Sequence, residues 1–343
     1  MLYALFLLLG LLPLWPFVVA KEICAVSPDT IMVHDALSEQ TQYGSASELK
    51  AGLAQPWPLI TVGDRRLRVV KYCYATKIYR DYLHCQFVMP AFTVWSNKLG
   101  YPASAQTGHS LGWEEAKDGN EGAKKRKRQY CYNNYKHGDD VGTWNPLVDA
   151  DTLVIALDPT ITGGRAKVGY NALSNEPGRH QLVLGVDTDV EAIAHELGHV
   201  FGMVHEQHRN DRDEHVLYEC KNVQGYNTAL AKAMVEGLSE AEAHTKLCED
   251  RTFAVKHDFF GSEFTKNPAG KIHDEPGGFD LDSIMLYPSY GFANPSCDAD
   301  KTKCPLLKLV KANGQVVGTE RIPENTVPSD GDITWLKTWY PWE

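Results

Sequence analysis

The strongest constraint on this chain is the run His195-Glu196-Leu197-Gly198-His199-Val200-Phe201-Gly202-Met203-Val204-His205. Upstream, Thr188-Asp189-Val190-Glu191 forms a capping-box pattern, which predicts a helix from there to about Phe201. On such a helix His195 and His199 stand one turn apart on the same face. Two imidazoles at that spacing can meet a single Zn²⁺ at about 2.0–2.1 Å. Glu196 lies one step around the helix, close to the ion but off the ligand face. Gly202 can adopt positive φ, ending the helix and letting the chain turn to deliver His205 as a third nitrogen. Three histidines leave a coordination position open, as catalytic rather than structural zinc sites do.

Composition bounds the rest. The chain has 343 residues, 43% of them hydrophobic, with a net charge of −10, an ordinary globular balance that disfavours a dedicated nucleic-acid binder. After the first twenty residues no charge-free run is long enough to span a bilayer, so stable membrane insertion is not expected. Residues 1–20 are uncharged and rich in leucine and valine, ending in Val18-Val19-Ala20, and they read as a secretory signal peptide. The alternative, an uncleaved anchor, is weakened by Pro13 and Pro16, although the segment lacks the usual Lys or Arg at its start. Eight cysteines follow, none in a C-x-x-C pair, which suits disulfides in an oxidising compartment. Cys297 and Cys304 flank a short polar loop and Cys220 and Cys248 bracket a helical segment, so both are expected as local pairs.

Residues 21–56 mix Ser, Gln, Pro and small residues and read as a pro-segment whose boundary falls between 56 and 66. Leu67–Tyr74, Leu153–Leu157 and Gln181–Leu184 have strand composition, and Pro90 opens a helix with Phe92, Trp95 and Leu99 on its apolar side. The stretch 105–135 is Gly-rich and polar, carries the basic run from Lys124 to Arg128, and reads as an inserted surface loop. A processing site for a basic-residue protease is its other reading. Gly108-His109-Ser110-Leu111-Gly112 matches G-x-S-x-G, but a nucleophile elbow requires a buried strand before the serine and a helix after it, and neither is legible.

The continuation of the histidine motif resembles a known family. H-E-x-x-H-x-x-G-x-x-H is the metzincin signature, and His205-Glu206-Gln207-His208-Arg209-Asn210-Asp211-Arg212-Asp213 is similar to the astacin pattern. Phe279-Asp280-Leu281-Asp282-Ser283-Ile284-Met285-Leu286-Tyr287 resembles that family's Met-turn segment, and Pro328-Ser329-Asp330-Gly331-Asp332-Ile333 with Tyr340 resembles its C-terminal one. The resemblance extends over about residues 57–343. It implies an α+β, metzincin-like zincin fold, with a twisted mixed sheet and active-site helix above a cleft and an irregular C-terminal subdomain below. It also implies a secreted zinc endopeptidase with one Zn²⁺ per chain, held by His195, His199 and His205, in which Glu196 is the general base for a zinc-activated water.

By the same resemblance Met285 lies under the metal. Tyr287 ligates it at rest and moves to the oxyanion, while Glu206 meets the new N-terminus after activation. Substrates would be proteins or peptides, bound antiparallel to an edge strand near Ala166–Tyr170, and a monomer is expected. Arg209, Asp211 and Arg212 are expected to form a structural ion-pair network. Leu286 stands where the family has histidine, and the terminal cysteine of the family is missing, so its disulfide pattern does not transfer. Asp64, in Thr61-Val62-Gly63-Asp64, is either a zinc-blocking pro-region aspartate or a turn residue inside the enzyme. A catalytically silent binding protein on the same fold is the rival reading, which the intact His195, Glu196, His199 and His205 argue against.

Overall fold

The long strand β2 (Arg65–Tyr74) organises the upper half of the computed structural model, which describes residues 54–117, 127–136, 141–266 and 278–343. Its first residues form an antiparallel hairpin with β1 (Leu59–Val62), and its middle pairs in parallel with β3 (Leu111–Glu115). Its end pairs in parallel with β4 (Leu153–Leu157). The short strand β5 (Gly164–Ala166) lies at one border of the sheet, antiparallel to β6 (Gln181–Leu184), which in turn is parallel to β4. The sheet is therefore mixed. β4 is buried along most of its length, which explains its unbroken apolar run LVIAL.

Two helices cover one face of this sheet. Helix α1 (Met89–Leu99) buries Phe92, Trp95 and Leu99 as expected, but Pro90 does not open it: the helical run begins at Lys77 and passes through a π-helical segment, His84–Val88, directly before the proline. Trp95 is fully buried, and its indole N–H donates to Ala194 O at 2.8 Å on the second helix, α2 (Val190–Phe201). One continuous apolar core joins the sheet, both helices, Ile284, Met285 and the C-terminal helix α3 (Asp330–Trp339) with Tyr340. The Tyr340 hydroxyl, completely buried, donates to Phe201 O at 2.6 Å and so fastens the C-terminus to the end of α2.

A second core, below, is built around Val216, Tyr226, Phe259, Phe264, Leu286, Tyr287, Phe292 and Leu306. Here the otherwise irregular C-terminal half carries short helices at Tyr226–Val235, Glu240–Glu249 and Arg251–Lys256. It also carries a three-stranded sheet of Val216–Tyr218, Leu306–Ala312 and Gln315–Arg321. Four consecutive residues cross between the cores: Ile284 and Met285 belong to the upper one, Leu286 and Tyr287 to the lower. The candidate site lies at this seam.

Both expected local disulfides, Cys220–Cys248 and Cys297–Cys304, are present. Cys73–Cys131 adds a long-range bridge, and Cys85 is also disulfide-bonded. The surface-loop reading of 105–135 needs correction. Leu111–Glu115 is a strand of the main sheet, its Trp113 ring stacked on Phe92 at 4.7 Å. Ser110 is buried and precedes that strand, the reverse of a nucleophile elbow. Asp64 occupies the exposed turn of the β1–β2 hairpin, and Trp57 is buried with its indole N–H donating to Val200 O at 2.8 Å. Residues 1–53, Lys124, Lys125 and Arg126 lie outside the described residues, and with them the signal peptide and most of the pro-segment.

Candidate active site

The site begins with the start of α2. Asp189, rather than the box pattern with Thr188, caps this helix: its Oδ1 accepts the Ala192 N–H at 2.8 Å, leaving Thr188 buried one residue too early. From that start His195 and His199 fall on the face turned towards the seam. Gly202 closes the helix in the left-handed conformation at φ 110°, its N–H donating to His199 O at 2.8 Å. The reversal carries His205 back, so that its Nε2 lies 3.1 Å from the Nε2 of His195 and 3.1 Å from the Nε2 of His199.

The other ring nitrogens set the tautomers. His195 Nδ1 donates to Ile284 O at 2.7 Å and His199 Nδ1 to Met203 O at 2.9 Å, which leaves each Nε2 with a free lone pair. Burial pushes His195 down to about 4. Burial and then the neighbouring imidazole of His195 push His199 down to about 3, and His205 is driven well below its ordinary value by burial and then by His199. All three are therefore neutral. Nitrogens around a tetrahedral zinc at about 2.0–2.1 Å are about 3.3 Å apart, close to the two separations from His205, and all three lie within 4.8 Å of one another, so the donor set suits that ion.

The carbonyl of Ile284 is held by residues far along the chain. Asp332, in the first turn of α3, accepts the Ile284 N–H at 2.9 Å and the Ser283 hydroxyl at 2.7 Å, and Ser283 Oγ accepts the Met285 N–H at 3.0 Å. This fixes the turn that places Met285, 1% exposed, with its Sδ against the backbone of residue 198, between the two helical histidines. Asp332 was visible in the sequence only as part of a motif. Its work on the turn is a product of the fold.

Glu196 is 4% exposed. It lies against Gly164 of β5, its carboxylate accepts the Ala166 N–H, and its Oε2 is buried with no hydrogen-bond partner. Burial, opposed by that bond and reinforced by the charge of Glu263, pushes Glu196 up to about 8. An orphaned buried carboxylate oxygen is costly unless a cation or a proton completes it. Tyr287 packs its ring 4.3 Å from that of His205, and burial with the charges of Glu263 and Glu196 holds its phenol well above the usual range.

Glu206 accepts the Asp280 N–H at 2.7 Å, lies 3.5 Å from Arg209, and is pushed up to about 8 by burial. Arg209 grips both oxygens of Asp211 at 2.9 and 2.8 Å, and Arg212 pairs with Asp213 at 3.0 Å, as expected of a structural network. Sequence reasoning missed Gly164 and Glu263. Neither has a local signal, because each acts on a residue far away in the chain. A further His/Cys cluster, Cys220, His244 and Cys248, has both sulfurs joined in a disulfide.

Known proteins resemble this chain over the segment that holds the histidines. The peptidase family described as Astacin matches residues 158–243. The zinc metalloproteinase nas-34 of Caenorhabditis elegans is 26% identical over 34% of this chain and 14% of its own length. The astacin-like metalloprotease toxin 5 of Loxosceles gaucho is 31% identical over 31% of this chain and 39% of its own length. Toxin 4 of Loxosceles laeta is 33% identical over 29% and 58%. The chain thus spans less than two thirds of the length of each of these relatives. High choriolytic enzyme 1, a hatching enzyme zinc-protease from the medaka Oryzias latipes, aligns over 83% of this chain and 94% of its own at 16% identity, with a TM-score of 0.45. The segment matched by the family contains all three histidines and Glu196, so over that segment the chain is similar to the astacin peptidases.

Proposed function

We propose that the protein is a secreted zinc-dependent endopeptidase acting on extracellular proteins or peptides. The observation that carries this reading is the convergence of three neutral imidazole Nε2 atoms, with Glu196, one residue along the helix from His195, holding a buried carboxylate oxygen that has no partner. His195, His199 and His205 would hold one Zn²⁺ per chain. When bound, that ion supplies Lewis-acid activation of a water and polarisation of the scissile carbonyl. Glu196, whose burial raises its affinity for a proton, takes the proton from the water and passes it to the leaving amine. The Tyr287 hydroxyl donates to the developing oxyanion.

β5 pairs with β6 on one side only among the described residues, leaving an edge to which an extended peptide could add by main-chain hydrogen bonds. Tyr170 is less available than its neighbours, since Tyr170–Asn171 pair with Ala54–Gln55. The burial of Trp57 supports a catalytic domain beginning at or before that residue, with 1–20 as signal and 21–56 as pro-segment. The exposed hairpin position of Asp64 favours the turn reading over a zinc-blocking one. Glu206 would exchange part of its present bonding for the new α-amine after activation. The disulfides support export. Casein hydrolysis by the purified protein tests the proposal. It should be abolished by a strong chelator and restored by zinc, and hydrolysis that resists chelation would contradict it.

A further inference from the structure

Tyr287 presents a hydroxyl on a ring that is almost wholly buried. Its ring lies between His205 on one side and Phe264 and Phe292 on the other, at 5.9 and 5.5 Å between centroids. A phenol so enclosed needs a fixed partner, and the partner is the carboxylate of Glu263, itself 3% exposed, which accepts the hydrogen bond from the hydroxyl.

The histidine-motif segment builds this meeting. The side chain of Gln207, wholly buried, spans the two backbones: its Oε1 accepts the Tyr287 N–H at 3.2 Å while its Nε2 donates to Glu263 O at 3.3 Å. His208 Nε2 donates to the same carbonyl at 2.8 Å, and Arg212 Nη1 donates to Phe264 O. Three residues that follow the last histidine thus clamp the 3₁₀ turn Phe260–Phe264 next to Tyr287. On the far side, Arg251 of the short helix Arg251–Lys256 approaches Glu263 Oε1 at 3.7 Å. Its Nη1 donates to Ser262 O at 3.2 Å, so a held cation steadies the carboxylate.

We infer that Glu263, backed by Arg251, is a positioning residue that fixes where the Tyr287 hydroxyl points, and so how readily it reaches the oxyanion. Gln207 sets the distance between the two side chains. The inference rests on the proposed role of Tyr287. It gives a catalytic consequence to the helical segment that holds Arg251.

A double-mutant cycle tests it. Glu263→Gln preserves volume but replaces the carboxylate with a neutral amide. It should lower kcat about tenfold, the loss expected when a charged acceptor is neutralised, with KM within about twofold and zinc content unchanged. In a Tyr287→Phe background the same substitution should change kcat by less than about twofold, because the hydroxyl it orients is gone. Equal losses in both backgrounds would overturn the inference and make Glu263 a structural residue. Wild-type turnover in Tyr287→Phe alone would instead refute the role of Tyr287, and the inference with it.

A second readout needs no metal. With ¹³Cζ-labelled tyrosine in zinc-free protein, the resonance that disappears in Tyr287→Phe should shift in Glu263→Gln, and an unmoved resonance would equally overturn the inference. If Glu263→Gln fails to fold, Arg251→Gln carries the same cycle, with an expected kcat loss of about threefold that vanishes in Tyr287→Phe.

Discussion

Replacing Gly164 by alanine sets a methyl group against the side chain of Glu196. A Cβ at this position would lie 2.8 Å from Glu196 Cγ and 3.3 Å from Leu184 Cδ2, so it cannot retreat from one without meeting the other. To regain an ordinary separation of about 3.4 Å, the Glu196 side chain must move by at least about 0.6 Å. Overpacking of this kind costs about 1–3 kcal/mol, of which the lower chain entropy of alanine returns about 0.4–1 kcal/mol. A net loss of about 1–2 kcal/mol should lower the melting temperature by a few degrees. The larger effect is on chemistry. A 1 Å misplacement of a reacting group can cost about 10²-fold, so kcat should fall between about tenfold and about 10²-fold. Zinc content should not change, because the nearest neighbours of the new methyl group are Glu196 and Leu184 rather than the histidines. Peptide hydrolysis, thermal melting and metal analysis on one preparation make the test. Wild-type kcat at an unchanged melting temperature would refute the reasoning, since Glu196 would then not be held against β5.

Two other outcomes follow from the same geometry. Glu196→Gln keeps the shape and leaves the ligands intact, so it should retain zinc while kcat drops by at least about 10²-fold; near-normal hydrolysis would remove Glu196 from the mechanism. His180 is buried and pushed down to about 4, first by burial and then by Arg179. Its Nδ1 donates to Asp151 O at 3.0 Å and its Nε2 accepts the Asn171 N–H at 2.9 Å, an arrangement only the neutral ring can make. The unfolded ring binds its proton near pH 6.5, so between that pH and about 4 the unfolded chain holds more protons and stability falls as pH falls. The stabilisation lost across that window is about 3 kcal/mol, and the advantage of wild type over His180→Asn should shrink accordingly in melts from pH 7 to 4.

The parts of this architecture that were legible in the sequence are those specified locally. The spacing of His195, Glu196 and His199, and the glycine that ends their helix, are read within a few turns of chain, and so are the two disulfides with short loops. β4 announced itself because a strand buried on both faces is apolar throughout. Leu111–Glu115 did not, because beyond the buried Leu111 its side chains are only partly covered or exposed and its place in the sheet comes from pairing with β2, some forty residues earlier. The helix cap moved from the Thr188 pattern to Asp189 because both residues can cap and only the approach of the preceding chain decides. Cys73–Cys131 closes 58 residues and no spacing rule selects it. Glu263, Gly164 and the grip of Asp332 on the Met285 turn act across the fold, on partners that one sequence does not connect.

Metal content tests the assignment of the site most directly. Purified protein should hold one zinc per chain by mass spectrometric metal analysis, and His195→Ala, His199→Ala and His205→Ala should each lose most of it, since three nitrogen ligands hold the ion. Unchanged zinc in all three variants would contradict the assignment.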